Sequence, residues 1–195
     1  LPKPHFYRPD IDGIRAIAVL SVIAFHAFPK RLTGGFIGVD IFFVISGFLI
    51  TQIIINEIDA GKFKIRNFYS RRIRRIIPSL LVVLATTLIL GWFLLLPQDY
   101  VQLGRVTAGA TVFITNFVLW SQVGYFDADA IQKPLLHLWS LSIEEQFYLL
   151  WPLILFLLFK VRKYAFALTG VMLISSFYTA YRYRHINPDL AFYSP

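Results

Sequence analysis

The sequence has no cysteine. A disulfide framework, a thiolate metal site and a cysteine nucleophile are therefore excluded. Charge is scarce. Asp, Glu, Lys and Arg make up 15% of the 195 residues, against about 25% in an ordinary soluble domain. There is no Walker A loop, no GxGxxG, no HExxH and no GxSxG. His5, His137 and His185 are too scattered to suggest a metal site. What the chain does have is apolar mass: 57% hydrophobic residues, 19 of them Phe, and a mean hydropathy of +0.63. A soluble fold of this size cannot hide so much apolar surface, and a disordered chain would not carry it. The class that remains is a polytopic membrane protein.

The net charge is +8. In so apolar a chain, excess positive charge marks cytoplasmic loops and does not point to nucleic acid. A bilayer core of about 30 Å needs roughly 20 mostly apolar residues per helix. Candidate spans lie at about 13–30, 35–58, 77–96, 101–121, 139–159 and 164–181. Pro29 and the Thr33-Gly34-Gly35 turn separate the first two. Pro78 is expected near the N-terminus of the third, Pro97 closes it, and Pro134 precedes the fifth. The stretch from Lys62 to Arg75 holds seven of the 19 basic residues and no acid. The positive-inside rule puts it in the cytoplasm, together with the chain's N-terminus. Lys160, Arg162 and Lys163 should lie there too, yet simple counting puts them outside if every candidate spans. The weakest candidate is 101–121, with Gly104, Arg105, Thr107, Gly109, Thr111, Thr115 and Asn116. It is expected to be re-entrant or packed inside the bundle, where broken or polar helix is tolerated at depth.

Ionisable residues inside spans are costly and are functional candidates by default. Arg15 and His26 share one face of the first span, roughly 16 Å apart along its axis. Arg15 reads equally as a snorkelling anchor, and His26 as a helix-end histidine bonded to a carbonyl. Imidazole is the usual general base near neutral pH, which makes His26 the best single candidate. Ser46-Gly47 in the second span suits close helix packing, and Asp40 could pair with a cation or cap the helix. The cluster Arg71, Arg72, Arg74 and Arg75 could bind phosphates through forked guanidinium donors, or serve only as topogenic and lipid-contacting charge. Arg72 and Arg75, three apart, share a helix face. Glu144 and Glu145 open the fifth span after Ser140 and Ser142. A favourable place near the helix N-terminus, with a serine cap, explains them cheaply. A carboxylate at membrane depth still needs a partner, and Arg15 and His26 are the obvious ones.

In their order these residues resemble the acyltransferase-3 family of integral membrane acyltransferases, which includes bacterial O-antigen and cell-wall O-acetylases. The likeness runs from Tyr7-Arg-Pro-Asp-Ile-Asp12-Gly13-Ile-Arg15 to the end of the chain. It is carried by Arg15-x10-His26, by Gly38-Val-Asp40-x-Phe42-Phe43-Val-Ile-Ser46-Gly47-Phe48, and by Arg71-Arg72-Ile-Arg74-Arg75-Ile-Ile-Pro78. The fourth motif is Pro134-Leu-Leu-His137-Leu-Trp139-Ser140-Leu-x-x-Glu144-Glu145-Gln-Phe147-Tyr148.

The resemblance implies an all-α transmembrane bundle in which this chain supplies about five or six of about ten helices. Residues 1–195 would then be the N-terminal part of a membrane acyltransferase domain, with later helices and, in some relatives, an SGNH-type domain beyond it. It also implies transfer of an acetyl or other acyl group from cytoplasmic acyl-CoA to a hydroxyl of a cell-surface carbohydrate. The acceptor would be O-antigen of lipopolysaccharide or another polysaccharide, lipid-linked or already exported. Acetyl-CoA would be a substrate, with no tightly bound cofactor and no metal. The expected location is a bacterial inner membrane. Carried over residue by residue, His26 is the motif histidine, acting as base or acyl carrier, and Arg15 is its partner. The cytoplasmic arginine pair comes from Arg71, Arg72, Arg74 and Arg75, with Arg72 and Arg75 favoured. The motif acid is Glu144, with Glu145 second. Intramembrane His, Arg and Glu also suit a proton-coupled transporter or channel, and a truncated copy would suit a non-catalytic membrane scaffold.

Overall fold

The computed structural model describes residues 8–122, 133–160 and 165–186. Among the described residues there are seven helices and no strand. They are α1 (Pro9–Ala27), α2 (Ile37–Asp59), α3 (Ile65–Leu94), α4 (Pro97–Thr111), α5 (Thr115–Gln122), α6 (Leu138–Lys160) and α7 (Ala165–Ile186). The all-α expectation holds, and α2, α3 and α6 are long and apolar enough to cross a membrane. In α1, Asp10, Asp12 and Arg15 fill the first two turns, so the uncharged stretch is only 16–27. In α7 the uncharged stretch, 165–181, ends at Arg182. Both fall short of the roughly 20 residues of an unaided span.

The chain divides into two compact units, 1–61 and 62–195. In the first, α1 begins with proline at its first turn and with Asp10 and Asp12 beside the positive end of the helix dipole. It ends just before Pro29, as a pre-proline residue favours extended backbone. Small residues let α2 lie close against it. A Cβ at Gly38 would strike the Ala18 carbonyl oxygen and meet Val22 Cγ2 at 2.8 Å, and one at Gly35 would meet Phe25 Cβ at 2.6 Å. Arg15 in turn sits over Phe42. Rising positions on α1 thus meet falling positions on α2, and the pair is antiparallel. Ser46 is buried, as the packing reading of Ser46-Gly47 requires. Asp40 stays exposed in the first turn of α2 and makes no capping bond.

In the second unit two expectations are corrected. Pro78 does not open a helix. It lies inside α3, which already begins at Ile65, so the basic stretch is itself helical and the proline leaves the carbonyl of Arg74 without its helical N–H donor. The segment 101–121 is not one helix. α4 ends at Thr111, Phe113 takes φ 56°, and α5 starts at Thr115. The Ile114 N–H reaches back to the Gly109 carbonyl at 2.9 Å. A Cβ at Gly109 would meet Val118 Cγ2 at 2.7 Å. In a straight helix those residues would be about 13 Å apart, so the chain has doubled back. At 1.5 Å per residue α4 is about 22 Å long and α5 about 12 Å, too short to cross a bilayer. The segment is a helical hairpin, one of the two arrangements the polar residues suggested.

The turn of that hairpin is buried. Thr115 and Asn116 are 0% exposed. Its freed backbone groups are met by α6. The Ser142 hydroxyl accepts the Thr115 N–H at 3.1 Å, and the Gln146 amide donates to the Phe113 carbonyl at 2.8 Å and to Asn116 Oδ1 at 2.9 Å. Ser142 therefore caps α5 across the fold and does not cap its own helix. Ser140 donates to the His137 carbonyl, so neither serine is the expected cap of α6. A core of Leu80, Leu84, Leu103, Val106, Ala110, Leu119, Leu135 and Leu138 closes over the hairpin.

α3 and α6 run antiparallel. The Tyr69 hydroxyl donates to the Leu149 carbonyl at 2.7 Å, Arg72 meets Tyr148, and Ser79 and Val83 share a groove with His137 and Leu141. The arginine-rich start of α3 and the end of α6 are thus at the same end of this unit. The hairpin accounts for this, because a segment that turns back subtracts one crossing from the count.

Gln146→Leu removes the donor for two buried acceptors at about 1–3 kcal/mol each. Thermal unfolding in detergent should show a lowered midpoint for this variant. Gln146→Glu, which keeps the size but cannot donate when ionised, should lower it as well.

Candidate functional site

The second unit gathers charge where α3 passes the first half of α6. α3 brings Arg72 and Arg75 to the same side, three residues apart. α6 brings Glu144, Glu145 and Tyr148, of which Glu144 and Tyr148 are four apart and share a face. The Arg72 guanidinium carbon lies 3.2 Å from the centroid of the Tyr148 ring and 5.7 Å from that of Phe68. A guanidinium flanked by two aromatic faces and drawn out of water gains about 2 kcal/mol from the ring quadrupole. The Tyr148 hydroxyl donates to Glu144 Oε1. Glu145 lies in the fields of Arg72, Arg75 and Glu144. Two buried polar atoms here have no hydrogen-bond partner, Arg72 Nε and Glu145 Oε1.

Both carboxylates thus belong to one cluster with Arg72, although adjacent helix positions point in different directions. Glu144 reaches it through Tyr148, and Glu145 through the charges of α3. Beside the cluster a shallow groove of about 320 Å³ is lined by Arg75, Ser79 and His137 among Leu80, Val83 and Leu141. Arg71, Arg74 and Arg75 are exposed, and Arg72 is half-buried. Arg72 and Arg75 are the pair that faces α6. Among the described residues no three His, Asp or Glu side chains converge on a point where a metal ion could sit.

The first unit holds the other two residues. Arg15 is half-buried, with its guanidinium 5.1 Å from the centroid of Phe42 on α2. It is anchored on its neighbouring helix. His26 is exposed in the last turn of α1, and its Nδ1 is 2.8 Å from the Val22 carbonyl oxygen. A carbonyl can only accept, so Nδ1 carries the proton. In the neutral ring Nε2 then holds the lone pair. The carbonyl-bonded arrangement expected of a helix-end histidine is present, and it also leaves a base available at Nε2. The sequence named Arg15 and His26 as partners for Glu144. Within its own unit the structure supplies Tyr148.

Three contributors escaped the sequence reading. Tyr148 had a visible signal, its four-residue spacing from Glu144. Asn116 and Gln146 had none beyond being amides in apolar helices, because their partnership joins α5 to α6.

The family model described as an acyltransferase domain matches residues 8–194. The chain is 46% identical over 178 residues to O-acetyltransferase OatA of Staphylococcus aureus strain COL, a match that covers 87% of this chain and 28% of the relative. The OatA of strain MRSA252 matches equally, at 46%. The chain therefore spans 28% of the length of the curated relatives it matches. No solved structure gives a significant match.

The bond to Val22 fixes one measurable property of His26. Nitrogen-15 spectra of the selectively labelled protein at high pH should show a neutral ring protonated at Nδ1. A neutral ring protonated at Nε2 would show that the bond to the Val22 carbonyl is not made.

Proposed function

The chain belongs to the acyltransferase family whose domain spans residues 8–194, and from that premise we propose that it is the N-terminal part of a membrane O-acyltransferase. The enzyme moves an acetyl or other acyl group from acyl-CoA to a hydroxyl of a cell-surface carbohydrate. The observation that carries the reading is this match, which takes in both units together with the motif histidine, the arginine cluster and the motif acid. The chemistry of the site is consistent with it. Acyl-CoA is polyanionic and does not cross a bilayer, so it needs cations on the face it approaches. Arg72 and Arg75 supply forked donors suited to phosphate oxygens, with Arg71 and Arg74 exposed beside them.

The same end of the unit is cytoplasmic in this reading. Arg71, Arg72, Arg74 and Arg75 and the lysine that ends α6 then lie on one side, in keeping with the positive-inside rule. The N-terminus is cytoplasmic as well, and the membrane is a bacterial inner membrane. The acceptor sugar, lipid-linked or exported, is on the far side.

His26 handles the proton or the acyl group. As a base, Nε2 takes the proton of the acceptor hydroxyl while its oxygen attacks the thioester carbonyl and the CoA thiolate departs. As a carrier, Nε2 attacks the thioester carbonyl and the CoA thiolate departs; the acceptor hydroxyl then attacks the acyl group, the N–acyl bond breaks, and the released Nε2 takes the hydroxyl proton. The exposure of the ring and its Nδ1 bond serve either role. Arg15, held over Phe42, orients this end of the machinery or stabilises the negative charge that develops on the carbonyl oxygen. Glu144, with Glu145 beside it, supplies the acid of the motif. No tightly bound cofactor or metal is required.

The test uses the full-length protein in membranes with labelled acetyl-CoA. His26→Ala should abolish O-acetylation of the carbohydrate while the protein still inserts. Normal transfer by that variant would end its proposed role. Arg72→Ala with Arg75→Ala should raise the donor KM by about tenfold or more, as expected for lost charge-assisted contacts, with topology unchanged. Unchanged donor affinity would return the cluster to a topogenic role.

A further inference from the structure

Tyr148 is absent from the roles assigned so far, yet it touches both halves of the charged cluster. It is 4% exposed. Its ring lies under the Arg72 guanidinium at 3.2 Å, and its hydroxyl donates to Glu144.

We propose that Tyr148 is a positioning residue for the acyl transfer, whose ring seats Arg72 for the donor and whose hydroxyl orients Glu144. The inference rests on the acyltransferase reading and deepens it.

The physics separates two functions in one side chain. A guanidinium is planar and binds an aromatic face as well as an oxyanion. Stacking uses the face of the group and leaves its edge N–H donors for phosphate. Arg72 Nε, an edge donor, has no hydrogen-bond partner among the described residues, so the stack does not consume it. A salt bridge with Glu144 would instead consume those donors and cancel the charge the donor needs. By placing a neutral ring between them, the fold keeps that carboxylate off the arginine's donors, and it satisfies the carboxylate with an uncharged hydroxyl. Glu144 and Tyr148 are one helical turn apart, so their bond is rigid with respect to α6. Arg72 reaches the same ring from α3. Any shift of α3 against α6 therefore changes the seating of Arg72 without disturbing the bond to Glu144.

The two functions can be cut apart in the full-length enzyme assayed with labelled acetyl-CoA. Tyr148→Phe keeps the ring and removes the hydroxyl. It should leave the donor KM within about twofold and lower kcat about tenfold, the scale of one hydrogen bond to a charged group. Tyr148→Leu removes the ring as well. It should add a rise in donor KM of about tenfold, the scale of a desolvated cation–π contact. The double variant Tyr148→Phe with Glu144→Ala should be no slower than Glu144→Ala alone, because alanine leaves the Tyr148 hydroxyl no acceptor at that position to orient. Losses in kcat that multiply in the double variant would overturn the orienting role. A Tyr148→Leu enzyme with wild-type donor KM would overturn the seating role. If the Leu variant does not fold, the Phe variant and the double variant still decide the first role. Tyr148→Trp, which keeps an aromatic face, then decides the second, with an unchanged donor KM expected and a raised one against it. A wild-type enzyme that transfers no acetyl group would instead remove the acyltransferase reading itself.

Discussion

Backbone polar groups cannot be left open where neither water nor a helix partner reaches them. That constraint governs the second unit. The break at 112–114 releases backbone donors and acceptors into a buried site, and the side chains of Ser142, Gln146 and Asn116 close it. Much follows from the closure. The hairpin can turn back inside the bundle, α6 is held beside α5, and α3 and α6 meet antiparallel. The cationic start of α3 therefore faces the carboxylates of α6. The polar residues of an otherwise apolar helix have two occupations, and Ser142 and Gln146 serve the fold while Glu144, Glu145 and Tyr148 serve the site.

The site is built on stacking, with ion pairing in a secondary place. The salt bridge between Arg8 and Asp10, at 2.6 Å, is exposed on both sides, where such a pair contributes little. Arg72 is held by the faces of Tyr148 and Phe68. Direct pairing of buried charges tends to spend its attraction on desolvation. An aromatic seat avoids that cancellation and leaves a cation free to meet an anionic ligand. Arg15 repeats the device on Phe42 in the first unit. Two arginines from different units are thus each set over an aromatic ring of a neighbouring helix.

The first unit is simpler. Gly35 and Gly38 allow α1 and α2 to touch backbone to side chain, and the turn at 29–36 reverses the chain after Pro29. His26 ends α1, and its bond to Val22 fixes which ring nitrogen is free. This bond is local, four residues apart on one helix, and so was legible as a carbonyl-bonded helix-end histidine. Arg72 and Arg75 were legible as a pair on one face for the same reason. Glu144 and Tyr148 could have been read likewise.

The sequence by itself determined the class, the spans of α2, α3 and α6 in outline, the ordered motifs and the family, because hydropathy and residue spacing are written along the chain. It also marked 101–121 as too polar for a plain span. Only the tertiary structure decided how that segment turns, and it decided that Ser142 caps α5, 27 residues away, in place of its own helix. It moved the start of α3 back to Ile65, leaving Pro78 inside a helix that packing sustains despite a missing hydrogen bond. It chose Tyr148 as the partner of Glu144 and set Arg72 on the ring of that tyrosine. The physical reason is range. Contacts such as Tyr69 to Leu149, 80 residues apart, depend on how helices pack, and no local propensity encodes which buried donor will find which acceptor.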